Sequence, residues 1–131
     1  MQTLQPEGWP RPSGYANGIA AEGRHVYVAG QIGWLPEGRF EATEMAGQIE
    51  QALKNTMAVL AEADAGPEHI VRMTWYVTSC EDYLSAVKKI GDAWREIIGR
   101  NYPAMAVVEV SRLVETQALV EIETTAVVPT A

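Results

Sequence analysis

His69–Asp82 reads HIVRMTWYVTSCED. Val71, Met73, Trp75 and Val77 alternate with Arg72, Thr74, Tyr76 and Thr78, the two-residue period of a strand with one apolar face. Ser79 with Asp82 three positions later then predicts a capping box that opens a helix. The stripe of that helix is Tyr83 or Leu84, then Val87, Ile90, Trp94, Ile97 and Ile98, and Gly99 closes it.

A longer helix lies upstream in TEMAGQIEQALKNTMAVLAEADAG (43–66). Met45, Ile49, Ala52, Leu53, Thr56, Met57, Leu60 and Ala63 recur at three- and four-residue spacing. Thr43 is placed to cap its start, and Gly66-Pro67 to end it. Further upstream, YANGIAAEGRHVYVAGQIGW (15–34) reads as two short strands around a turn at Gly23. Gly30 and Gly33 interrupt the second, either as a plain strand end or as a bulge where the backbone approaches a ligand. Residues 1–13, rich in Pro and Gly, read as an irregular arm.

Two strands finish the chain, at about 104–111 and 118–128. In the first, Ala104, Ala106, Val108 and Val110 make a wholly apolar face, opposite Met105, Val107, Glu109 and Ser111. In the second, Ala118, Val120, Ile122, Thr124, Ala126 and Val128 oppose Leu119, Glu121, Glu123, Thr125 and Val127. The predicted order is β-β-α-β-α-β-β, an α+β fold whose two helices cover one face of a mixed sheet. The other face is expected to carry Met105, Val107, Glu109, Leu119 and Glu121 with Arg72, Thr74 and Tyr76. That set is too apolar for free solvation, which predicts burial by self-association and a ligand pocket at the subunit boundary.

The bulk numbers exclude several functions. A chain of 131 residues favours one domain, 1–131. Seventeen acidic against ten basic residues give a net charge of −7, and the basic residues are scattered, which disfavours nucleic acid. No apolar run approaches a membrane span and the N-terminus lacks a signal pattern, so a cytoplasmic protein is expected. Cys80 is the only cysteine and has no disulfide partner. His25 and His69 stand far apart outside any ligand-spaced motif, so no metal is expected.

SGYANG, VYVAGQIG, AGQIEQALKN, HIVRMTWYVTSCEDY, YPAMAVVEVSRL and VEIETTAVV follow one another from Ser13 to Val128. Together, in this order and at these spacings, they resemble the RidA/YjgF family of small trimeric proteins. The resemblance implies a chorismate-mutase-like α+β subunit and a homotrimer whose sheets join in a central barrel. It implies a small-molecule pocket at each subunit interface, and hydrolysis of reactive enamines and imines such as 2-iminopropanoate without metal or organic cofactor. In the family an Arg after "PA" holds the substrate carboxylate, and a Glu in the last strand positions or activates water. A Tyr in the N-terminal strand and the backbone at the "GQ" turn complete the pocket. Carried onto this chain, the Glu is Glu121, the Tyr is Tyr15, the turn is Gly30 and Gln31, and the Arg position holds Met105.

That departure changes the expected chemistry. An α-imino acid carries a carboxylate that needs a partner when it is buried. Charge-assisted hydrogen bonds are worth roughly 1.5–3 kcal/mol each, so losing a two-pronged pair weakens transition-state binding by about 10²–10⁴-fold. Arg112 is near in sequence, but alternation aims it at the other face. The remaining candidates are Glu121 for the proton or the water, with Tyr15, Gly30, Gln31, Trp34, Met105 and Val107 for binding. Glu121 reads equally as a structural carboxylate across the trimer, Tyr15 as barrel packing, and Trp34 as pocket wall or trimer cover. Met105 suits an apolar ligand. The expected activity is hydrolysis or deamination of an enamine, imine or related conjugated molecule other than 2-iminopropanoate. The alternative is a non-catalytic small-molecule-binding or interaction trimer.

Overall fold

The computed structural model describes residues 1–130. Strands β1 (Gln2–Leu4), β2 (Gly18–Ala20) and β3 (Arg24–Ile32) are followed by α1 (Met45–Glu62) and β4 (Ile70–Val77). Then come α2 (Cys80–Ser85), α3 (Val87–Ile97), β5 (Ala104–Glu109) and β6 (Val120–Val128). The main sheet has the order β3-β6-β4-β5, with β4 and β5 parallel and the other neighbours antiparallel. The helices cover one face, as the two amphipathic stripes require.

The alternation holds from Arg72 to Val77: Met73, Trp75 and Val77 are buried with Ile122 and Val120 of β6, while a register shift between Ile70 and Arg72 puts Ile70, not the expected Val71, in the core. On α1, Met45, Ile49, Ala52, Leu53, Thr56 and Leu60 form the buried stripe. Two polar residues on this helix lock the loops. The Gln48 amide donates to the carbonyls of Ala42 (3.1 Å) and Gln117 (3.0 Å), and its oxygen accepts from the Leu119 N–H (2.7 Å). Asn55 donates to the carbonyls of Ile32 (3.1 Å) and Trp34 (2.8 Å). Gly33 lets the helix come this close, because a Cβ there would stand 2.6 Å from Gln48 Cα. Replacing Gln48 with Leu strands all three partners of its amide. The thermal midpoint should fall by on the order of 10 °C, measured by calorimetry.

The structure departs from the sequence expectations in several places. The arm is not wholly irregular: Gln2–Leu4 pair with Gly18–Ala20, so the first predicted strand of the 15–34 region joins β3 only through the turn at Gly23. Helix α1 starts after Glu44 without a side-chain cap, so Thr43 does not cap it. It ends at Glu62, before Gly66-Pro67, with Asp64 in the left-handed region (φ 55°). Ser79 does cap α2, accepting from the Asp82 N–H at 3.0 Å. The second predicted helix breaks at Ala86, whose φ of −107° and ψ of 8° are not helical. The last two strands are shorter than expected, at 104–109 and 120–128.

The largest correction concerns which face of β5 meets the helices. The parallel register sets Met105 opposite Met73 and Val107 opposite Trp75. Partners in register point the same way, so Met105, Val107 and Glu109 face the helices, not the open side. Leu119 packs against the same core. Glu109 accepts the Cys80 N–H at 2.8 Å and so serves the first turn of α2. The apolar face of Ala104, Ala106 and Val108 lies instead on the open side, where Val108 is 42% exposed.

Candidate functional site

A cavity of about 610 Å³ opens between the edge strand β5 and the short helices. Its floor is Trp75, Met105 and Val107, three neighbours on the helix-facing side of β4 and β5. The break at Ala86 turns the two helices so that Tyr83, from α2, and Trp94, from α3, wall it together. Trp75 meets Tyr83 edge-on at 6.4 Å between ring centroids, and meets Trp94 tilted at 6.0 Å. The rim is formed by Tyr15 and Tyr102. They are neighbours because the Ala16 N–H donates to the Pro103 carbonyl at 2.9 Å, with Ala16 bridging to Ala104.

The chemistry of this cavity is that of a slot for a flat apolar body. Aromatic walls favour stacked or edge-on rings, and Met105 adapts to their shape. Trp75 is 1% exposed and Trp94 7%, yet neither indole N–H has an acceptor among the described residues. Burial, and to a lesser degree the charge of Cys80, push the Tyr83 phenol up, which keeps it a neutral hydroxyl. The one cation on the wall is Arg95, and it is paired with Asp92. No Asp or Glu lines the cavity.

A second group of predicted residues lies elsewhere. The β3–β6 pairing shifts register between Val28 and Gln31, which places Gly30 in a bulge. The Glu121 side chain fills the space beside it: a Cβ on Gly30 would lie 2.2 Å from Glu121 Oε2. The Glu121 carboxylate is half-buried and has no hydrogen-bond or ion-pair partner among the described residues. It lies on the open face beside Tyr76, its register partner. There the Tyr76 hydroxyl donates to Glu123 at 2.6 Å, and that bond raises the phenol's proton affinity. The Gln31 amide folds back onto the Ala29 carbonyl at 3.2 Å.

Tyr15, Met105 and Val107 therefore come together in the cavity, while Gly30, Gln31 and Glu121 gather across β3 and β6. Met105 faces the helices from the edge strand β5, whereas Glu121 faces the open side from β6, two strands away, so no single chain brings Glu121 to Met105. Trp34 joins neither group; it packs on Phe40 at 5.9 Å in the loop that Asn55 holds. Arg112 is exposed beyond the end of β5 and does not line the cavity. The cavity walls Trp75, Tyr83, Trp94 and Tyr102 were not among the expected site residues, because helical and strand spacing marks Trp75 and Trp94 as core. No cluster of metal-ligating side chains occurs among the described residues. Among the described residues no helix is long and apolar enough to cross a membrane.

A sheet with helices on one face and an aromatic slot at its edge defines a class of small α+β proteins. Within that class, the family model described as endoribonuclease L-PSP matches residues 10–128, and the chain belongs to that family, the Rid/YjgF proteins. A RutC family protein of Synechocystis is 36% identical over 138 residues, covering 99% of this chain and 98% of its own. The structure of YyfB, a Rid-family protein of unknown function from Yersinia pestis, superposes with a TM-score of 0.82 at 28% identity. It covers 97% of this chain and 98% of that one. A 2-iminobutanoate/2-iminopropanoate deaminase of Salmonella typhimurium is 30% identical over 127 residues, covering 96% of this chain and 97% of its own.

Proposed function

We propose that this protein hydrolyses the C=N bond of an imine, or of the enamine that tautomerises to it, whose reacting carbon carries an aromatic or apolar body and no carboxylate. The observation that carries the reading is the cavity wall: five aromatic rings with Met105 and Val107, and no free cation on the floor. Family membership and the deaminase activity named for the Salmonella relative support the reaction type.

The chemistry needs one proton carrier. Water adds to the imine carbon, giving a carbinolamine; its nitrogen gains a proton and leaves as ammonia, and the carbonyl product remains. Glu121 takes a proton from the attacking water and gives it to the imine nitrogen, then takes the carbinolamine hydroxyl proton and gives it to the leaving amine. Because Glu121 and Met105 lie on opposite faces of one sheet, two strands apart, the working site is composite. A neighbouring subunit brings the bulge between its β3 and β6, with Gly30 and Glu121, against this subunit's β5 edge. Three such contacts close a homotrimer and cover the apolar open face of β5.

Ammonia release from a neutral aryl ketimine tests the reading, and absence of any turnover counts against it. Gly30→Ala refines the test. The new methyl group displaces the Glu121 carboxylate, a flexible side chain, so unfolding free energy should change by less than about 1 kcal/mol. Turnover should fall by up to about 10²-fold, the effect of a catalytic group misplaced by an ångström. Binding without chemistry is the second reading, favoured by the distance between Glu121 and the cavity within one chain. Under it, Glu121→Gln leaves ligand affinity intact and no imine is turned over. The net charge of −7 weighs against RNA as the substrate, despite the family model's description.

A further inference from the structure

Tyr15 and Tyr102, the rim of the aromatic cavity, are also one wall of a second cavity of about 530 Å³. The two share Gly14 as well. The second contains Arg11 and Arg100, and neither makes an ion pair or a side-chain hydrogen bond among the described residues. In a chain with 17 acidic residues, none lines either cavity. The positive groove is thus a local exception to the charge of the whole molecule.

The groove is built rather than incidental. The arm that presents Arg11 is pinned: Gln5 donates to the carbonyls of Trp9 (3.0 Å) and Pro10 (3.2 Å), and Asn17 donates to Gln5 at 2.8 Å. Pairing of β1 with β2 anchors the same arm. Arg100 leaves the end of α3 directly after Gly99, whose φ of 77° turns the chain there.

We infer that the ligand is an aromatic compound bearing an oxyanion, carboxylate or phosphate, on a short tail remote from its reacting carbon. The ring occupies the slot under Trp75 and Trp94, and the tail passes between Tyr15 and Tyr102 to Arg11 and Arg100. Arginine suits this role because its planar fork meets an oxyanion with paired donors. The inference rests on the proposed use of the aromatic cavity and adds a recognition element at a different place from residue 105.

Calorimetric titration of the full-length protein with 4-phenylbutanoate, 3-phenylpropyl phosphate and neutral 4-phenylbutanamide tests it. At low salt at least one anion should bind about tenfold or more tighter than the amide, and the stronger of the two identifies the tail. Added salt should compress that ratio. The double variant Arg11→Gln/Arg100→Gln should bring it to about one while leaving the amide's affinity unchanged. Equal binding of anions and amide, or a preference that survives in the double variant, overturns the inference alone. Failure of all three ligands to bind overturns the use of the aromatic cavity, and the inference with it.

Discussion

Met105→Arg should raise the turnover of 2-iminopropanoate by on the order of 10²-fold, and lower that of a neutral aryl imine by about tenfold. Position 105 lies on the floor of the cavity beside Val107 and Trp75, not on the open face, so a guanidinium placed there projects among ring faces. It can rest over Trp75 or Trp94 and still offer a fork to a carboxylate. The aliphatic stem replaces much of the methionine's volume, so folding should survive. The same charge takes space and apolar contact from a neutral ring, hence the opposite sign for the aryl imine. Steady-state ammonia release with both substrates checks both signs. An unchanged rate on 2-iminopropanoate would mean that position 105 does not face the reacting carbon.

Glu121→Gln should reduce turnover of any accepted imine by about 10²–10⁴-fold, the usual worth of a general acid–base group. The substitution keeps shape and removes the proton-carrying function. Glu121 makes no ion pair and touches Gly30 in a half-buried bulge, so little stability depends on its charge. The thermal midpoint should move by only a few degrees. The proposed composite site has a stricter consequence. Mixing Glu121→Gln with Trp94→Ala subunits in the proposed trimer should restore activity, since some interfaces would combine an intact Glu121 with an intact cavity. A variant that loses stability in step with activity would assign Glu121 a structural role.

Much of the fold was legible because burial imposes a period. Most of the stripe from Met45 to Leu60 reappears in the structure, with Gln48 added and Met57 only partly buried, and so does the alternation from Met73 to Val77. The capping of α2 by Ser79 was legible as well, since it needs only a spacing. Alternation in β5 was also correct, but alternation cannot say which face meets the helices. That choice is made by the parallel register with β4, a contact more than twenty-five positions away in sequence, and it reverses the naive assignment of the apolar face. The apolar row of Ala104, Ala106 and Val108 looked like core and is uncovered in the single chain. The break at Ala86 carries no Gly or Pro signal, yet it is what lets Tyr83 and Trp94 close on one cavity.

The candidate site was legible in halves. Met105 and Val107 do line a cavity with Tyr15, and Gly30 does touch Glu121. Their separation onto two faces, two strands apart, follows from strand order and register, which the sequence pattern does not encode. Trp34 was singled out by its glycine-bounded loop, but Phe40 takes its ring. Trp75 and Trp94 were hidden by their own spacing, because a residue that packs a core and one that walls a cavity obey the same periodicity.

The most direct measurement is the ratio of kcat/KM for a neutral aryl ketimine to that for 2-iminopropanoate, both followed by ammonia release from the unmodified protein. A cavity with aromatic walls, Met105 on its floor and no unpaired cation among its lining residues predicts a ratio of about 10² or more in favour of the aryl imine. A ratio below one, with efficient turnover of 2-iminopropanoate, would contradict the account.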